Sequence, residues 1–181
     1  MRMASNPPIM ATIHIDDVKA MARKAYNDAP TMERYFAAVF DGGSPDAVHC
    51  AWALTHLPSD ANSSIAAHRD SLVACATSTS NVSLRRISLA LLNRIEWPHN
   101  DNPDNVPESY ITLLDFCLLH MMMVDEPYGV RALCIKLAFT LCSPYPELRE
   151  ELRQSLLLLE PSNLGAGVNH TRNKVLKALN S

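Results

Sequence analysis

Several things are scarce in this chain of 181 residues, and each scarcity excludes something. Glycine occurs only 5 times and aromatic residues make up 6%. β-branched and aromatic runs are few, and no stretch sustains the period-2 alternation of a half-buried strand. The chain is therefore read as helical. Basic residues are not in excess: 16 basic against 19 acidic side chains leave a formal net charge of −3. That balance argues against a dedicated nucleic-acid binder, which usually shows a basic surplus. It is also too mild for a disordered acidic chain. Long apolar runs are missing. Met121 to Val124 and Leu156 to Leu159 fall far short of the roughly 20 residues that a membrane span needs. Met1 to Ala11 carries Pro7 and Pro8 and no apolar stretch of signal-peptide length.

Catalytic signatures are missing too. There is no Gly-x-Gly-x-x-Gly, no P-loop, no His-Glu-x-x-His and no Gly-x-Ser-x-Gly. The seven histidines are dispersed. Cys117 and His120 have the i, i+3 spacing of two metal ligands, but no further ligand is spaced to complete a zinc site. The expectation is no enzyme activity, no metal and no cofactor. The five cysteines (Cys50, Cys75, Cys117, Cys134 and Cys142) are odd in number, lack Cys-x-x-Cys spacing and lie among apolar neighbours. They read as buried reduced thiols in a cytoplasmic protein.

Proline is plentiful, and the twelve prolines divide the chain. Proline disrupts a helix interior but is tolerated at the first helical position. Between the prolines lie nine stretches of helix length, most with apolar residues at 3.6-residue spacing. They run at about 15–27, 31–40, 45–57, 63–76, 82–95, 107–123, 127–142, 146–159 and 168–180. Asp41-Gly42-Gly43 should stop the second, and Ser44 should cap the third with Pro45 at its first position. Asn81 should cap the fifth. Residues 1–13 read as a flexible tail and 14–181 as a single domain. The polar stretch Pro98 to Asn105 reads as the longest loop.

The helices repeat. Ala47, Leu84 and Val130 each lead a helix, with a small residue four positions on (Ala51, Ser88, Cys134) and leucine at the seventh (Leu54, Leu91, Leu137). Val168 and Val175 mark a weaker fourth copy. The leading residues are 37, 46 and 38 positions apart, and a helix pair of roughly 40 residues is the period of HEAT and armadillo arrays. The segment Glu126 to Leu152 (EPYGVRALCIKLAFTLCSPYPELREEL), the helix HCAWALTHL around Trp52 and the closing stretch Gly165 to Leu179 resemble small HEAT-like repeat proteins of Bacteroidetes. At the closing helix His170, Thr171 and Asn173 depart from the more basic pattern of that group. The resemblance implies an all-α, right-handed α-α superhelix of about four helix pairs, with an extra N-terminal helix.

Such stacks present an extended surface lined by their second helices. The expected function is a non-catalytic protein- or peptide-binding scaffold, with 46–57, 83–96 and 128–142 forming the groove. Candidate surface residues are His49, Trp52, His56, Arg85, Arg86, Arg94 and Arg131. His49 and His56 share one helix face with Trp52 and would line a groove with it; the favoured alternative is that Trp52 is core and the histidines are partly exposed packing residues. Arg85 and Arg131 occupy the same repeat position, where a basic residue in HEAT arrays stacks on its counterpart in the next repeat and pairs with acids at the inter-repeat turn, here Asp125 or Glu126; phosphate contact is the rival reading. The alternative is a nucleic-acid binder, implied by alkylpurine DNA glycosylases, which use a HEAT-like fold with a basic concave face. It would need Arg85, Arg86, Arg94, Arg131, Arg172, Lys174 and Lys177 on one side.

Overall fold

The computed structural model describes residues 13–98 and 106–180. Among them are ten α-helices and no strand. They are α1 (Ile15–Asn27), α2 (Ala29–Asp41), α3 (Ala47–Thr55), α4 (Asn62–Ala67) and α5 (Arg69–Ser78), followed by α6 (Val82–Leu92), α7 (Glu108–Met122), α8 (Tyr128–Cys142), α9 (Pro146–Leu158) and α10 (Ala166–Leu179). The expected tail, apart from residue 13, and positions 99–105 of the expected loop lie outside the described residues.

Local chemistry sets the helix ends. The Asn81 side chain accepts from the backbone N–H groups of Ser83 (3.0 Å) and Leu84 (3.2 Å), satisfying two donors that the first turn of α6 leaves unpaired. Asp28 does the same for Thr31 at the start of α2. Gly42 ends α2 in the left-handed conformation (φ 62°) and donates to Ala38 O, a geometry that favours glycine. Ser44 is not the cap of α3. Its hydroxyl accepts from Asp46 N within a turn, and the helix starts only at Ala47. The fifth expected helix stops at Leu92 rather than Ile95.

One expected helix is two. The stretch 63–76 breaks at His68 into α4 and α5. The His68 ring stacks on Phe36 with centroids 3.9 Å apart, and its Nε2 lies 3.2 Å from Glu33 Oε1. The bend is thus tied to α2, two helices back in the chain.

The helices pair as α2–α3, α5–α6, α7–α8 and α9–α10, with α1 packed on α2 and α3. First helices pack in order from α2 to α5 to α7, and second helices run α3, α6, α8, α10. The result is two layers, with the core between them. The repeat residues explain the spacing. Ala51, Ser88 and Cys134 are wholly buried, with Ser88 against Cys75 of α5 and Cys134 against Cys117 of α7, so at this position a second helix comes close to the first helix of its pair, and Leu54, Leu91 and Leu137 are buried in the same core. Each such leucine contributes about 1.5–3 kcal/mol by leaving water. Ser88 is the one polar member, and its hydroxyl donates to Cys75 Sγ at 3.5 Å.

Candidate partner-binding surface

The seven candidate residues divide into two groups. On α3, His49 and Trp52 are half-buried and His56 is exposed. The Trp52 and His56 rings lie 6.3 Å apart, and Trp52 rests partly on the core. These three positions follow i, i+3, i+7 spacing and therefore share the less buried side of the helix. Beside the end of α3, His56 joins Lys19, Arg23 and Tyr26 of α1 around a groove of about 410 Å³. On α6, Arg86 is exposed, and its stem lies across the start of α8. A Cβ at Gly129 would come within 3.3 Å of Arg86 Cδ.

The other arginines serve the fold. Arg85 donates from Nη2 to Thr79 O (2.7 Å), at the end of α5, and from Nη1 to Glu126 Oε1 (3.2 Å), at the turn between α7 and α8. Of the two acids expected at that turn, Glu126 is the partner and Asp125 is exposed. The other Glu126 oxygen lies 2.6 Å from His120 Nδ1, within hydrogen-bonding distance. His120 in turn stacks on Phe116 at 3.7 Å, and Arg85 lies over the same ring at 5.9 Å. Cys117 and His120, the spacing that suggests a metal, thus face different tasks. His120 holds a carboxylate, and Cys117 is buried with its thiol pKa well above the ordinary value through desolvation, with Cys134 next to it.

Arg131 is not on the accessible surface at all. It is 2% exposed, and its Nε donates to Met121 O (3.1 Å) at the end of α7. The expectation that it lines a surface fails because the shared repeat position points into the turn between the two helices of a pair. There the last carbonyls of the preceding helix need donors. Arg172, 8% exposed, repeats the device on α10 by donating to Leu156 O (2.8 Å) at the end of α9. Arg94 works at the opposite edge. It reaches back from the end of α6 to the carbonyls of Leu54, Thr55, Leu57 and Pro58 and to Asn62 Oδ1, which closes the end of α3. Burial pulls its pKa below the usual guanidinium value.

The residues 8–179 match the family model described as a HEAT repeat domain. The chain belongs to that family. The HEAT assignment agrees with the ordered pairing α2–α3 through α9–α10 and with the repeat positions buried between the layers. None of the curated proteins and none of the solved structures matches this HEAT repeat chain.

Two further grooves each take in one cation named from the sequence, Arg94 in the first and Lys174 in the second. One, of about 600 Å³, lies beside α4 and the end of α6. There Arg69 packs over Trp97 (5.3 Å) and donates to Glu96 O, while Trp97 Nε1 donates to Leu92 O. The other, of about 440 Å³, lies between the second helices α8 and α10 and is lined by Lys136, Phe139, Thr140, His170, Lys174 and Val175 among others. The repeat spacing points to neither Lys136 nor Phe139 as surface residues, because neither is a repeat position. Among the described residues, no group of three or more His, Cys, Asp and Glu side chains could hold a metal ion.

Proposed function

We propose that this HEAT repeat chain is a non-catalytic scaffold that binds a protein or peptide on the face of its second helices. The observation that carries the reading is the disposition of that layer. The helices α3, α6, α8 and α10 pack in succession, and between the last two a groove of about 440 Å³ opens among exposed and half-buried side chains. His49, Trp52, His56 and Arg86 form the accessible part of the surface on α3 and α6. Among the family generally, such stacks act as scaffolds. Among the described residues no helix is long and apolar enough to cross a membrane. The five cysteines are unbridged and four are buried, which supports a reducing, cytoplasmic setting.

Four of the seven cations that a DNA-binding face would require (Arg85, Arg94, Arg131 and Arg172) donate to backbone carbonyls of neighbouring helices. That disfavours the nucleic-acid alternative. The test compares affinity capture from the native host by the unaltered chain and by a His56→Glu/Arg86→Glu variant. A partner recovered reproducibly by the first and lost by the second is expected. Salt-dependent binding to duplex DNA at low ionic strength, absent from the expectation, would reverse the reading.

A further inference from the structure

We propose that the groove between α8 and α10 takes a short acidic peptide segment bearing one bulky apolar side chain. The inference rests on the scaffold reading and adds the site and chemistry of the partner. The floor of the groove is apolar: Phe139 packs on the core and Val175 is buried. The hydroxyls nearby are turned back on their own helices, Thr140 Oγ1 to Lys136 O (3.2 Å) and Thr171 Oγ1 to Gly167 O (2.9 Å). They present no unspent donor to a ligand's polar atoms, so the floor suits a hydrocarbon or aromatic group.

The walls are cationic. Lys136 stands on α8 and Lys174 on α10, both exposed, and His170 lies beside them. No acidic residue lines the groove, and among the described residues neither lysine is in an ion pair. An apolar group seated on Phe139 and Val175 therefore sits with one ammonium on each wall. Carboxylates on both sides of a single apolar residue match that arrangement. A polyanion or small anion without an apolar group would leave the floor bare. The volume, about 440 Å³, is within the usual range of roughly 300–1,000 Å³ for binding pockets.

The experiment titrates the full ¹⁵N-labelled chain with the peptide acetyl-Asp-Glu-Leu-Glu-Asp-amide and follows backbone amide shifts. Saturable shifts are expected on α8 from about residue 136 and on α10 from about residue 170, the span of the lining residues. Replacing the peptide's leucine by glycine, or its acids by the corresponding amides, should weaken binding at least about tenfold, because either change removes one of the two attractive components. Lys136→Glu/Lys174→Glu should weaken it by at least about tenfold through repulsion on both walls. Both lysines are exposed, so the thermal midpoint should hold. If that variant fails to fold, Lys136→Gln/Lys174→Gln gives the same test with a smaller loss. Absence of shifts at millimolar peptide, shifts confined to other helices, or equal binding of the glycine peptide would overturn the proposal. So would equal displacement by acetate or by a single-stranded oligonucleotide. Peptide shifts on α3 and α6 alone would discard this groove and leave the scaffold reading standing. Loss of the scaffold reading instead shows in the capture experiment on His56 and Arg86.

Discussion

Arg85 of α6 and Glu126 of the α7–α8 turn meet at 3.2 Å across the boundary between two helix pairs, with the carboxylate almost wholly enclosed. The pair is more than a surface ion pair of the kind worth about 0–1 kcal/mol. Its guanidinium also holds Thr79 O, and its carboxylate also holds His120. One buried acid thus ties together the end of α5, the start of α6 and the end of α7.

Removing that acid should be costly, because Arg85 and His120 would each keep a partly buried nitrogen without its partner. Glu126→Ala is expected to lower stability by about 3 kcal/mol, in the range for breaking a buried pair from one side. Urea unfolding followed by circular dichroism measures it. The Arg85→Ala/Glu126→Ala double variant should cost less than the sum of the single changes, since the two residues share one network.

Arg94 offers a test of geometry against charge. Its planar fork serves four carbonyls and Asn62 at once. Lysine keeps the charge and loses the fork. Arg94→Lys should therefore destabilise by about 1–2 kcal/mol, the cost of leaving carbonyls short of donors. Amide exchange at the end of α3, around Leu54 to Leu57, should speed up, while binding of a partner to α8 and α10 stays the same. Exchange rates at that helix end equal to those of the unaltered chain would show that water replaces the guanidinium there.

Stability should fall on the alkaline side. Burial, helped by the charge of Glu151, raises the Cys142 thiol from the ordinary 9.0 to about 12. Burial likewise raises Tyr110, whose hydroxyl donates to Leu141 O. Between pH 9 and about 12 the unfolded chain has released the Cys142 proton and the folded chain still holds it, so unfolding gains with rising pH. The Cys142 contribution is fully present below pH 9 and is lost by about 12. Denaturant midpoints measured across that window should decline, and Cys142→Ala should flatten the slope. A native-state thiol reagent at pH 8 should label Cys75 first, because it alone of the five is not buried.

Much of the fold was legible in the chain because the relevant signals are local. The apolar spacing of Leu84, Ile87 and Leu91 identifies α6, Asn81 marks its start and Gly42 marks the stop of α2. The repeat of Ala51, Ser88 and Cys134 was legible because close helix packing demands small residues at a regular interval. The bend at His68 was not legible. No proline or glycine marks it, and its anchor, Phe36, lies in another helix. The candidate surface was half legible. Trp52 and His56 share a helix face by spacing alone, whereas Arg131 looked like a surface cation and lies buried on Met121 O.

The helical class, the pairing period and the apolar core positions can be read from the chain alone, since each follows from periodicity and from the stereochemistry of proline, glycine and capping residues. How the cations are used is set by packing between helices distant in the chain. A lysine or arginine has the same formal charge wherever it stands in the chain. Whether it caps a helix, as Arg94, Arg131 and Arg172 do, or stays exposed on a groove wall, as Lys136 and Lys174 do, depends on which carbonyls the packing of distant helices brings within reach.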